Sequence, residues 1–179
     1  KANQERAMAE QNNYRYTVNV VKVVDGDTVD VDIDLGFGMV YKKQRVRMLG
    51  IDTPESRTRD LVEKKFGKAS KKHLKSIIEN AESIELVSHD KGKFGRILGD
   101  LFIGNSQYSI NQQMIDENHA VAYTGGNKEE TQAEHMANRL VVIERGEVVL
   151  ETQSEILRAN NDYKSCREEL EDLENLLDK

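Results

Sequence analysis

Three short phrases carry residue types suited to chemistry on a phosphodiester: Asp25-Gly26-Asp27-Thr28, then Arg47-Met48-Leu49-Gly50-Ile51-Asp52-Thr53-Pro54-Glu55, then Lys93-Phe94-Gly95-Arg96. Aspartates are hard oxygen ligands. Ca²⁺ takes about six to eight of them in flexible geometry, so two carboxylates and a carbonyl leave places for water and a phosphate oxygen. As water attacks phosphorus, negative charge gathers on the phosphoryl oxygens. Planar, always-charged guanidinium forks such as Arg47 and Arg96 stabilise that charge where a lysine ammonium could not hold the geometry. Glu55 is a further carboxylate near Asp52 that need not be spent on a metal, so it can take a proton from water or hold the water in place.

Each phrase alone has a plainer reading. Asp25-Gly26 is a hairpin-turn dipeptide. Asp52 through Glu55 reads as a cap followed by proline at the start of a helical turn. Lys93 to Arg96 reads as a loop between strands. Their joint occurrence, in this order and at the ends of predicted strands, is what points to a site.

The elements that must position them follow from periodicity. Tyr14 to Val24 is rich in β-branched and aromatic residues, and Val29, Val31, Ile33 and Leu35 alternate with Asp30, Asp32 and Asp34. These segments predict a hairpin turning at Asp25-Gly26, and Gly36-Phe37-Gly38 turns the chain into a third strand over Met39 to Leu49. Leu61, Phe66, Ala69, His73, Ile77 and their neighbours Leu74 and Ile78 predict a helix from about Asp60 to Ala81, with its lysines on the outer face. Ser83 to His89 and Arg96 to Ile103 read as strands four and five, and Ile110 to Asn118 as a short helix. Five strands with a helix after the third predict an α+β fold built on a small Greek-key barrel of the OB type.

Asn127 to Arg145 predicts a helix closed by Gly146, with a hairpin over Leu140 to Leu150 as the alternative. Thr152-x-x-Glu155 resembles a capping box opening a last helix. There Ile156, Tyr163, Leu170 and Leu177 fall seven apart, with Ala159, Cys166 and Leu173 three after each of the first three. That heptad register suits either self-association through residues 153–179 or docking against the chain's own body. The expected organisation is a polar arm over 1–13, a barrel domain over 14–126, a connecting helix and extended segment over 127–152, and an amphipathic helix over 153–179.

The net charge of −6 hides an asymmetry. Residues 127–179 hold 7 Lys/Arg and 14 Asp/Glu, which leaves the first 126 residues with 19 positive and 18 negative side chains. In this front part positive charge clusters at Lys42, Lys43, Arg45 and Arg47, at Lys64, Lys65, Lys68, Lys71, Lys72 and Lys75, and at Lys91, Lys93 and Arg96. Such clusters either track a phosphate backbone or form solvated faces. The single cysteine, Cys166, excludes an internal disulfide. No apolar run reaches the ~20 residues of a membrane span, and no signal-peptide core is visible, so a cytoplasmic setting is expected, with secretion after leader removal as the alternative.

From about Tyr14 to Gly126 the chain resembles the staphylococcal-nuclease (thermonuclease) family: the Asp-Gly-Asp-Thr phrase, the Arg-x-x-x-x-Asp-Thr-Pro-Glu phrase, the lysine-rich helix and the Gly-Arg after a basic turn all match. The resemblance implies an OB-fold barrel and a calcium-dependent nuclease that acts on DNA and RNA and leaves 3'-phosphate ends. It implies Asp27, Asp52 and the Thr53 carbonyl as calcium ligands, Arg47 and Arg96 as phosphate-binding arginines, and Glu55 as the carboxylate that activates or positions water. Substrate contacts are expected from Lys93, Phe94 and Tyr123 and from Lys68, Lys71 and Lys72.

There are departures from the family. The segment Asp32 to Lys43 is longer than the matching turn in short members, and the position two residues after Tyr123 is Gly125 rather than an aromatic. Base stacking is therefore expected either to be weaker or to be supplied by Phe94 or Phe37. Asp30-x-Asp32-x-Asp34 imitates an EF-hand loop but has Leu35 where glycine is needed and Tyr41 where the closing glutamate is needed. The histidines 73, 89, 119 and 135 lack metal-ligand spacing, and His73 reads as structural. Two other readings stay open: a non-catalytic nucleic-acid-binding barrel, and an adaptor acting through a C-terminal coiled coil.

Overall fold

A computed structural model of the chain describes residues 14–177, apart from the side chains of Gln153, Ser154, Leu170, Leu173 and Leu177. The expected arm over 1–13 lies outside the described residues. Strands β1 (Arg15–Asp25), β2 (Thr28–Gly36), β3 (Met39–Met48), β5 (Ile84–Lys91) and β6 (Ile97–Ile103) close into a barrel of order β1-β2-β3-β6-β5. All pairings are antiparallel except β3 with β6, where Ile97 lies beside Val46 and Leu98 beside Arg47. This is the expected five-stranded OB-type barrel. The fold adds one short sheet that the residue pattern did not suggest, β4 (Ile51–Asp52) against β7 (Val121–Ala122).

Alternation decides what faces inward. Val29, Val31 and Ile33 of β2, Val46 and Met48 of β3, Leu86 of β5 and Leu101 of β6 are buried together in the barrel core. Asp30 and Asp32 point outward, where they pair with Arg45 (2.8 Å) and Lys42 (3.1 Å) of β3. The wet-face reading of these aspartates holds. They also neutralise part of the basic cluster over residues 42–47.

Helix α1 (Leu61–Glu79) is capped by Asp60, whose carboxylate accepts from the backbone N–H groups of Val62 (3.0 Å) and Glu63 (3.2 Å). One face sends Leu74, Ile77 and Ile78 to the barrel, and the other joins Val62 and Phe66 to Val142, Val148 and Ala159. The partners of α1 in this second cluster come from α3 (Lys128–Glu144), α4 (Gln153–Leu177) and the segment between them, all of which follow the short α2 (Ile110–Asp116). Residues 140–144 are helical, so the hairpin alternative gives way to the helix, and Gly146 turns the chain with a φ of +73° that suits glycine. The Thr152–Glu155 capping box forms: the Glu155 N–H donates to Thr152 Oγ1 (3.2 Å) and the Thr152 N–H to Glu155 Oε2 (3.4 Å).

The N-terminal half of α4 docks on the body. Lys65 pairs with Glu155 at 2.9 Å and also donates to the Val149 carbonyl, Arg158 pairs with Asp60, and Ala159 packs on the second cluster. Part of the lysine face of α1 is thereby covered rather than solvated. Of the heptad core residues, Leu170, Leu173 and Leu177 have side chains outside the described set, and Ile156 is 43% exposed, so docking is what the described residues support.

Candidate active site

The β1–β2 turn lies close against α1 and the loop after β4 because residue 26 has no side chain. A Cβ there would stand 2.8 Å from that of Ser70 and 3.1 Å from the Thr53 side chain. The next residue, Asp27, is buried and has partners on both carboxylate oxygens. Its Oδ1 accepts from the Thr28 hydroxyl (2.8 Å), its Oδ2 accepts from the Thr53 N–H (3.2 Å), and Arg47 Nη1 lies 2.6 Å from Oδ2. The approach of Arg47 is off the N–H direction, which makes it a charge contact rather than an aligned hydrogen bond. Arg47 Nη2 then reaches Asp52 Oδ1 at 3.4 Å, long for a charged pair. Asp52 is held by β4, opposite Val121 of β7.

Glu55 follows in the loop. Its backbone N–H donates to Glu63 Oε1 at 3.4 Å, and its carboxyl is held above the usual carboxylate range. Burial is the largest cause, although the residue as a whole is exposed, and the like charges of Asp25, Asp27, Glu63 and Asp52 push the same way. Asp25 is taken up by the Ser56 hydroxyl and by Arg57 at 3.2 Å. Carboxylates therefore outnumber the cations Arg47 and Arg57 in this corner of the fold.

That donor set fits a hard divalent cation better than a soft one. Among the described residues no three His, Cys, Asp or Glu side chains form a complete metal cage by themselves. Asp27 and Asp52, joined through a single guanidinium, would supply two ligands and the Thr53 carbonyl a third, with the remaining places open to water and substrate oxygen.

The other predicted residues are less tightly gathered. Arg96 precedes β6, next to the strand that carries Arg47, and its Nε is buried with no acceptor among the described residues. Such a donor is costly unless something else meets it. Lys93 and Phe94 form a single 3-10 turn before it, with Phe94 93% exposed at a φ of +66°. Tyr123 donates its backbone N–H to the Gly50 carbonyl and lines a cleft of about 660 Å³ together with Asp52, Thr53 and Glu55. Helices α3 and α4 form the other walls of this cleft through His135, Arg139, Arg158 and Asp162. On α1, Lys68 and Lys72 are exposed, while Lys71 faces a shallow groove beside Val20–Val23 and Lys75 rather than this cleft.

One residue at the site was not anticipated. His135 of α3 donates from Nε2 to Asp52 Oδ2 at 2.9 Å, across 83 residues of sequence. Nothing in its spacing marks it, because a contact between α3 and β4 exists only after both have docked. His73 is structural as expected: its ring stacks on that of His119 at 4.1 Å and contacts Glu117.

Residues 45–141 match the family model described as staphylococcal nuclease homologue, a span that holds Arg47, Glu55, Arg96 and His135 and begins after Asp27. The chain is 31% identical over 94 residues to a thermonuclease of Staphylococcus hyicus, covering 52% of this chain and 52% of that protein. It is 30% identical over 92 residues to the thermonuclease of Staphylococcus intermedius, covering 51% of each. It is also 34% identical over 82 residues to a probable staphylococcal-like nuclease of Oryza sativa subsp. japonica, covering 46% of this chain and 20% of that protein. The matched part spans about half the length of the two staphylococcal relatives. Because the family model covers more than half of the 179 residues and runs from strand β3 through most of α3, the chain belongs to the family of staphylococcal nuclease homologues.

Proposed function

We propose that this protein is a calcium-dependent hydrolase of DNA and RNA phosphodiester bonds, with little sequence preference, leaving 3'-phosphate and 5'-hydroxyl ends. The observation that carries this reading is the continuous charge chain Asp27–Arg47–Asp52 with Glu55 crowded beside it. Asp27, Asp52 and the Thr53 carbonyl would hold the calcium ion, which when bound acts as a Lewis acid and a template for the phosphate. Glu55 takes the proton of the attacking water or holds that water in line; a carboxyl shifted upward is a stronger base than an ordinary one. Arg96 offers its unmet Nε–H to a phosphoryl oxygen, and Arg47 can turn Nη2 from its long contact with Asp52 to another.

Lys93, Phe94 and Tyr123 are assigned to the nucleotide next to the cleaved bond, and the α1 lysines 68, 71 and 72 to the phosphate backbone. Aromatic faces stack on any base, in keeping with weak sequence preference. In this reading residues 14–126 are the catalytic barrel domain, 127–152 the connecting segment and 153–179 the amphipathic helix. Pairing of two copies through residues 153–179 rests on the heptad spacing alone, and the docked first half of α4 leaves the second half for it.

The test is incubation of supercoiled plasmid, linear duplex and single strands with the protein in calcium, then in chelator, together with Asp27→Ala, Asp52→Ala and Glu55→Gln variants. Cleavage is expected in calcium only. The aspartate variants should lose calcium affinity and activity together, whereas Glu55→Gln should keep calcium and lose about 10²–10⁴-fold in turnover. Binding without cleavage by the unaltered protein would leave a nucleic-acid-binding module, and cleavage indifferent to chelator would remove calcium from the scheme.

A further inference from the structure

We propose that His135 is a positioning residue for Asp52, so that α3, outside the barrel, sets the geometry of the cation site. The inference rests on the reading of Asp52 as a calcium ligand. It starts from how the two oxygens of Asp52 are divided: Oδ2 accepts from His135 Nε2 at 2.9 Å, while Oδ1 lies 3.4 Å from Arg47 Nη2. Arg47 in turn contacts Asp27, the second proposed ligand. Fixing Oδ2 therefore keeps Oδ1 on the side of Arg47, the residue that also contacts Asp27. A carboxylate terminal torsion is broad and nearly two-fold, so without a partner on one oxygen the group would rotate and present either.

His135 can do this because α3 is tied to the segment before β7 by two hydrogen bonds of one neighbouring side chain. The Asn138 side chain, one turn along α3, donates to the Ala120 carbonyl (3.1 Å). It also accepts at Oδ1 from Asn118 (3.1 Å). These bonds pin α3 to the segment that enters β7, and β7 pairs with β4 directly at Asp52, opposite Val121. The imidazole is only 14% exposed, with Pro54, Asn138 and Arg139 around the same small void, so it has little room to swing away. A ligand carboxylate supported by an outer hydrogen bond is the usual device for orienting a metal site, and its loss typically costs about 10–100-fold in metal affinity or activity.

The experiment is calcium titration by calorimetry on the full chain, comparing wild type with His135→Ala, His135→Gln, Asp52→Ala and the His135→Ala/Asp52→Ala double variant, with metal-free thermal melts beside each. Glutamine can place an amide N–H near the position of Nε2. Calcium affinity is expected to fall about 10–100-fold in His135→Ala and to return to within a few-fold of wild type in His135→Gln. On the Asp52→Ala background, His135→Ala should bring no further loss, because its effect acts through that carboxylate. Unchanged affinity in His135→Ala, no recovery in His135→Gln, or a full further loss in the double variant would each overturn the inference while leaving the functional reading standing. Wild-type protein that binds no calcium would overturn the functional reading, and this inference with it.

Discussion

Gly67 of helix α1 touches the backbone of Glu55: a Cβ on Gly67 would stand 2.4 Å from the Glu55 carbonyl carbon and oxygen and 2.5 Å from the Ser56 nitrogen. The helix that supports the barrel thus also forms the floor under the candidate base. Glycine inside a helix ordinarily costs about 0.5–1 kcal/mol relative to alanine, so the close approach must outweigh that cost. Gly67→Ala should destabilise by about 1–3 kcal/mol despite its better helix propensity, because backbone rather than a flexible side chain has to move. Urea denaturation reads the first effect. Cleavage should fall further than stability explains, since the displaced residue is Glu55, and an alanine variant with full stability and activity would show that the loop yields freely.

Arg47→Lys and Arg96→Lys keep the charge and lose the planar fork. Removing one donor aimed at transition-state charge typically costs about 10²–10³ in turnover, and a lysine point charge replaces little of it. Single-turnover cleavage of one DNA substrate by each variant is the measurement. Arg47→Lys should also disturb the fold more than Arg96→Lys, because Arg47 bridges the buried Asp27 to Asp52, whereas the Nε of Arg96 meets no acceptor among the described residues.

The lysines of α1 should set affinity without choosing sequence. Neutralising Lys68, Lys71 and Lys72 together is expected to weaken unrelated oligonucleotides alike. It should also flatten the slope of log affinity against log salt by roughly 0.9 for each duplex phosphate that a lysine no longer neutralises. Lys71, turned toward the groove beside β1, should contribute least of the three. An unchanged slope would mean that this helix face does not meet substrate.

Buried His119 should make stability fall in mild acid. Burial holds its imidazole below the ordinary value of 6.5, the stacked His73 adds to this, and Arg145 acts in the same direction, against the opposing pull of Glu147, whose Oε2 lies 2.6 Å away. A depressed folded-state value means that the unfolded chain binds the proton more readily. The stabilising contribution is therefore complete above about 6.5 and is lost as pH falls through the lowered folded value. His119→Gln should flatten that part of the stability profile, whatever its effect on the absolute midpoint, and chemical denaturation at a series of pH values will show it. A slope identical to wild type would assign the acid sensitivity elsewhere.

Deleting residues 151–179 should lower the thermal midpoint, since it removes Ala159 from the cluster of Val62, Phe66, Val142 and Val148 and leaves Asp60 and Lys65 without Arg158 and Glu155. Ion pairs that remain in reach of solvent contribute little each, about 0–1 kcal/mol, so most of the loss should come from packing. Sedimentation of the two lengths tests the second half of the helix: a monomer in both cases removes the heptad pairing.

The sequence alone determined the barrel and named the candidate residues of its site, because both are written in short-range signals. Alternating valines and isoleucines against aspartates set which face of β2 goes inward, Asp25-Gly26 set the turn, Asp60 set the start of α1, and Thr152 with Glu155 set the start of α4. Asp27, Arg47, Asp52 and Glu55 were legible because strand ends and one loop bring them together within a short stretch of chain. What tertiary structure decided were contacts between elements distant in sequence. The β4–β7 pair is two residues long on each side, too short to carry a period. The packing of Gly67 on Glu55 needs α1 docked, and Lys65, one of the α1 lysines, is taken up by Glu155 only once α4 lies against that helix. His135 reached Asp52 because Asn138 fastens α3 to the entrance of β7. No spacing rule encodes a bond that spans 83 residues; it exists only when hydrophobic burial of Val142 and Phe66 has fixed where the helix lies.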